Sequence, residues 1–233
     1  MKTFLKSAVA ACVLATAPLA ASASTIIDFD ALVAGPLQDV PLLSFEEDGF
    51  TFGLTFSRES GGGRQGVAGP AIFDSANPVN GDNDLSPISQ GDNGVSGNVL
   101  ILQEAGAAVP DDAGSAGTIT LTLLSGPAFS FLGASAIDNT DFTFSSIIGG
   151  TTTELGTIDI DVEGDQRGGT GMLTFDTASD VIGVGDSIFI EYGGSGGVDS
   201  LQIAAVPLPA ALPMMLVGLG GLGALARRRK KRS

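Results

Sequence analysis

The chain has no histidine and no tryptophan, and its 233 residues include a single cysteine, Cys12, and a single tyrosine, Tyr192. Lysine is missing between Lys6 and Lys230. Without histidine, a Ser-His-Asp triad and a histidine-bearing zinc site are impossible. Cys12 falls in the leader described below, so the segment that follows has no disulfide, no thiolate metal site and no cysteine nucleophile. Without lysine there is no amine for Schiff-base chemistry. The enzymatic route left open is a pair of carboxylates, as in glycoside hydrolysis. Any chain with 26 Asp+Glu furnishes some pair at a workable distance, and the aromatic platforms common in carbohydrate sites are short of tryptophan here. We therefore expect a non-enzymatic protein, with a carboxylate-based glycosidase as the enzymatic alternative.

Positive charge is the next absence. Of the 11 Lys+Arg, Lys2 and Lys6 lie at the start and six lie in the run Arg227–Arg232. That leaves Arg58, Arg64 and Arg167 against all 26 acids, which fall between Asp28 and Asp199, so residues 24–205 carry a formal charge of −23 where the whole chain carries −15. Such a surface repels nucleic acid and anionic headgroups, and both are excluded as ligands. It also repels itself unless salt or divalent cations screen it.

What is present at the two ends is apolar. Residues 1–23 read as a secretory signal peptide: Lys2 and Lys6, an apolar stretch from Ser7 to Ala20, and the small-residue site Ala21-Ser22-Ala23. Cleavage is expected after Ala23, with the Sec translocon and signal peptidase as partners. An uncleaved anchor and lipidation at Cys12 are the alternatives. At the other end, Val206-Pro207-Leu208-Pro209-Ala210 precedes an uncharged apolar run to Ala226 and then six basic residues. The 19 residues Leu208–Ala226 would make a helix of about 28 Å, enough to span a bilayer. The basic cluster favours a cytoplasmic C-terminus. The chain thus divides into a leader (1–23), an acidic passenger (24–205) and a tail (206–233).

The passenger reads as β throughout. Phe50, Phe52, Leu54 and Phe56 alternate with Thr51, Thr55 and Ser57, and Thr118–Leu123 alternates strictly, as strands with one face in a core do. Further runs begin at Thr25, Val99, Phe129, Phe142, Gly156, Met172, Ser187 and Val198. About ten short strands separated by Gly/Asp/Asn turns, with no amphipathic helix and no fixed-period repeat, predict one all-β, jelly-roll-like β-sandwich. Residues 58–97 are expected to be a long polar loop with a short apolar island at Ala71-Ile72-Phe73.

Two sets of oxygen donors are candidates for Ca²⁺, the only cofactor the composition suggests. Asp74, Asn77, Asp82, Asn83 and Asp84 crowd one turning stretch with Pro78 and Gly81, which suits a hard cation. The spacing is not that of an EF-hand, and a solvated Asn/Asp turn cluster is the plain alternative. Asp28 and Asp30 flank the first strand and Asp199 sits in the last, so the three could share a structural cation if those strands lie close; the general exposure of Asp favours three separate surface acids instead. Asp111-Asp112 and Asp138–Asp141 are further turn acids. Two motif matches fail on context. Gly218-Leu219-Gly220-Gly221-Leu222-Gly223 fits the dinucleotide glycine pattern but has no strand before it and no acid after it. Gly193–Val198 offers a single, imperfect copy of a calcium-binding glycine repeat.

The order of proline motif, apolar span and basic end resembles the PEP-CTERM family of bacterial sorting signals, and Val206-Pro207-Leu208-Pro209-Ala210 matches its VPLPA variant residue for residue. The resemblance covers about the last 28 residues. It implies recognition by an exosortase, a membrane-embedded cysteine protease, and transfer from the inner membrane to the cell surface or extracellular matrix, typically in Gram-negative bacteria that make exopolysaccharide. The pieces Ile27–Asp30, Phe73–Pro78, Gly81–Leu85, Gly97–Ile101 and Gly197–Leu201 are similar to secreted β-domains that carry such tails, without implying an activity. The expected function is structural or adhesive in the envelope or biofilm matrix. A calcium-assisted carbohydrate-binding module, with exopolysaccharide as partner, is the alternative.

Overall fold

A computed structural model describes residues 24–34, 40–58, 67–78, 85–89, 91, 93–106, 111–114, 116–138, 141–160, 168–175 and 180–206. The leader, most of the tail, Asp82, Asn83 and Asp84 lie outside these residues, as do the helices expected at both ends. Among the described residues no helix is long and apolar enough to cross a membrane.

The described chain is all-β. Its strands are β1 (Ser24–Ile27), β2 (Ser44–Glu47), β3 (Phe50–Arg58), β4 (Val67–Asp74), β5 (Asn98–Glu104), β6 (Gly117–Ser125), β7 (Phe129–Ile137), β8 (Asp141–Ile148), β9 (Thr151–Asp159), β10 (Thr170–Thr174), β11 (Val181–Ile182), β12 (Ser187–Tyr192) and β13 (Gly197–Ala205). One sheet runs β10-β7-β13-β5-β4, with β1 added on β13 and β11 on β7; the other runs β2-β3-β6-β12-β8-β9. All pairings are antiparallel.

Thirteen strands exceed the ten expected, and the differences have local causes. β2 and β11 are too short to show a period. β4 divides the stretch 58–97 that was expected to be one loop: Ala71-Ile72-Phe73 is the middle of a strand registered on Val99–Ile101. Gly69 and Pro70 hide it in the sequence, because both residues are poor strand formers.

The alternation in β6 is realised as Ile119, Leu121 and Leu123 inward and Thr118, Thr120 and Thr122 outward. These inward residues meet Leu100, Phe129, Phe131, Val198 and Ile203 of the other sheet in one core. Phenylalanine rings link the layers. Phe50 and Phe52 each meet Phe129 edge-on at 5.7 and 5.9 Å, and Phe29 and Phe45 extend the row. Tyr192 is fully buried and its hydroxyl donates across the core to the Leu100 carbonyl at 3.0 Å, which satisfies the one polar atom it brings inside. β5 is buried on both faces. Leu100 and Leu102 face the main core, whereas Val99 and Ile101 join Phe73, Leu85, Val95 and Ile137 in a second, smaller one. Leu85 and Val95 belong to the connection after β4, so that polar-looking connection is held by its own apolar residues.

The strand directions give the sandwich two ends. The β2–β3 and β8–β9 hairpins, the β6–β7 and β11–β12 turns, the start of β1 and the finish of β13 share one end. The β7–β8 and β12–β13 turns lie at the other.

Candidate functional site

β1 pairs with β13, Ile27 opposite Leu201, so the first and last strands bring Asp28, Asp30 and Asp199 to one region. Each carboxylate is engaged by backbone there. Asp28 Oδ1 accepts from the Asp30 N–H at 3.0 Å, Asp30 Oδ1 accepts from the Asn98 N–H at 2.8 Å, and Asp199 accepts from Ser96 at 2.9 Å and Ser200 at 2.5 Å. The Asn98 side chain donates to the carbonyls of Phe29 and Leu32. Gly97 is required between them: its φ is +65°, and a Cβ there would overlap Asp30 Oδ1. Phe29 (φ +60°) and Ser200 (φ +49°) are left-handed non-glycine residues in the same place, a conformation that costs of order 1–2 kcal/mol each. The result is a locked turn, Ser96–Asn98, gripped by two carboxylates from opposite termini of the passenger.

The electrostatics are unfavourable to charge. Asp199 is fully buried, and burial pushes its carboxyl up to about 7, reinforced by Asp30 and Asp28 and opposed by the Ser96 and Ser200 N–H groups. Glu47, which the sequence reading did not single out, enters from β2. Its Oε1 accepts the Asp28 N–H at 3.0 Å, while its Oε2 is buried with no partner. Burial, aided by the neighbouring Asp28 carboxylate, raises Glu47 to about 7. Among the described residues no group of three or more acidic side chains is arranged to hold a metal ion.

Of the other candidate set, Asp74 and Asn77 are described. Asp74 caps its own turn: Oδ1 accepts from the Ala76 and Asn77 N–H groups and Oδ2 from the Asn77 amide, all within 3.1 Å.

A second acidic site was legible only as separate turn residues. Asp112, from the β5–β6 connection, and Asp138, at the end of β7, are both buried, and both lie within hydrogen-bond distance of the Ser195 hydroxyl in the β12–β13 turn, Asp138 at 2.5 Å; its single proton serves one carboxylate at a time. Asp138 has φ +87°. Three loops at one end are tied through one hydroxyl. No sequence period reports this, because each residue sits in a different turn.

The C-terminal exit completes the geometry. β13 runs to Ala205 with Ala205 opposite Phe129, and the Val206 N–H donates to the Ala128 carbonyl at 2.7 Å. The fold therefore continues into the first residue of the proline motif. Residues 205–230 match the family model of the PEP-CTERM protein-sorting motif. The tail carries a PEP-CTERM sorting signal. This motif implies export to the cell envelope or surface and processing by an exosortase. No curated protein and no solved structure matches the chain.

Proposed function

We propose that this protein is a secreted, non-enzymatic sandwich, jelly-roll-like in its winding, with a structural or adhesive role in the cell envelope or biofilm matrix. In this reading the leader is removed after Ala23, the tail holds the chain briefly in the inner membrane, and an exosortase cuts near Val206–Ala210. The observation that carries it is the sorting motif at 205–230, starting where the last strand ends. Asp30, Asp199, Asp112 and Asp138 have a structural task in this reading, because each accepts from backbone N–H groups or lies on a serine hydroxyl that ties loops together. Replacing Pro207 and Pro209 by Ala tests the sorting reading: the variant should accumulate in the membrane fraction while wild type reaches the surface. Equal surface delivery of both would refute it.

A second reading, a calcium-assisted carbohydrate-binding module, has one observation in its favour. The outer face of the six-stranded sheet is a lattice of hydroxyls, with Ser57 bonded to Thr118, Thr122 to Ser187 and Thr143 to Thr157, around the half-exposed Phe189. A ring among ordered hydroxyls suits a neutral glycan chain. Retention on matrix glycans, lost on chelation, would favour it; no retention with or without Ca²⁺ would remove it.

A further inference from the structure

Glu47 closes β2, the edge strand of the six-stranded sheet, and Asp28 directly follows β1, which belongs to the seven-stranded sheet. Phe45 and Glu47 face inward from β2, and Glu47 is only 8% exposed. Its Oε1 accepts the Asp28 N–H at 3.0 Å, which fixes the carboxylate, while its Oε2 has no partner. The Asp28 carboxylate stands within hydrogen-bond reach of it. Two ionised carboxylates have no proton to bond each other with, so a proton or a cation belongs between them. No basic side chain is placed to serve. Among the described residues the one basic residue is Arg58, at the far end of β3 from Phe50, which pairs with Glu47. The nine residues of β3 span roughly 26 Å.

From this we propose that Glu47 and Asp28 form a binding site for a hard divalent cation of the Ca²⁺ type, which clips the two sheets together at their β1–β2 edge. Carboxylate oxygens are the donors such an ion prefers, with water completing its shell. Asp28 is half-exposed and Asp30 exposed, so an ion reaches the pair from solvent. Asp30 and Asp199 stay on the Ser96–Asn98 turn and contribute negative potential around the site. A proton neutralises one charge of the pair, whereas a divalent cation neutralises both, in a passenger of −23. Two protein carboxylates suit the weak affinity of extracellular calcium modules, with Kd on the order of 0.1–1 mM. β1 and β2 are four residues each, so a link between them adds where strand pairing is limited, in a passenger that has no disulfide. The inference is independent of the sorting and glycan readings.

The test uses the full chain in a neutral detergent at pH 8, stripped with chelator and then unfolded in urea with CaCl₂ at about ten times the upper Kd or with NaCl of equal ionic strength. Calcium should raise the wild-type urea midpoint by about 0.5–1 M beyond NaCl. Glu47→Gln keeps an acceptor for the Asp28 N–H and removes the facing charge. It should fold, match or exceed wild type in NaCl, and lose the calcium increment. Asp28→Asn is the second variant, with the same expected loss, and Asp74→Asn should keep the increment. An equal calcium increment in wild type and Glu47→Gln, or one lost only in Asp74→Asn, would overturn the site. A wild type that gains nothing from calcium, beside a Glu47→Gln variant more stable than it, would overturn it in favour of a shared proton.

Discussion

Asp199 makes stability depend on pH in a direction opposite to that of an ordinary surface carboxylate. Its carboxyl titrates near 7 in the fold and near 3.8 when unperturbed, so between those values the folded chain binds the extra proton. Stability is therefore fully present below about pH 4 and declines as pH rises through 7. At about 1.4 kcal/mol for each tenfold change in proton affinity, the window is worth roughly 4 kcal/mol as an upper figure, because relaxation of the turn lowers it. Glu47, raised from 4.5 to about 7, pulls the same way and shares Asp28 as a neighbour, so the two effects do not simply add. Asp199→Asn separates the cause. The amide keeps one acceptor for Ser96 or Ser200 and turns an NH₂ toward the other N–H, which costs about 1–3 kcal/mol at pH 5. At pH 8 the variant escapes the buried charge and should approach or exceed wild type. Urea unfolding followed by far-UV circular dichroism at pH 5, 6, 7 and 8 reads this directly. Repeating it in 1 M salt removes the surface self-repulsion of the −23 passenger but leaves the buried contribution. A wild-type stability that is flat or rising from pH 5 to 8, or an Asp199→Asn variant with the wild-type slope, would refute the reasoning.

Two further outcomes follow from the same geometry. Gly97→Ala places a methyl group on Asp30 at a positive φ; it should cost about 2–4 kcal/mol, seen as a lowered urea midpoint, whereas Gly149→Ala, also at positive φ but with open space around it, should cost about 1 kcal/mol. Tyr192→Phe leaves the Leu100 carbonyl buried without its donor and should lower stability by about 1–2 kcal/mol without changing the circular dichroism spectrum, which checks that the ring packing survives.

The parts of the fold legible in the sequence were those with a clean period. β3 and β6 alternate because one face is core and the other solvent, and the inward residues named from the sequence are the ones the core uses, apart from the half-open Phe56. β4 and β5 gave weaker signals, because both faces of β5 are buried and the second face is covered by Leu85 and Val95 from a connection that reads as polar. The meeting of Asp28, Asp30 and Asp199 was foreseeable from the pairing of first and last strands. Their commitment to the N–H groups of Ser96, Asn98 and Ser200 was not, since hydrogen-bond partners in a turn depend on backbone conformation at Phe29, Gly97 and Ser200. Glu47 escaped notice because a single Glu on a four-residue edge strand carries no pattern. The tail was the most legible stretch, because motif, span and basic end are linear features that need no fold to be read.

The most direct test of the account is the intact mass of the protein recovered from the cell surface. The account predicts a chain that begins at Ser24 and ends at or near the Val206–Ala210 motif, lacking the apolar run and the six basic residues. A surface form that still ends at Ser233 would contradict it.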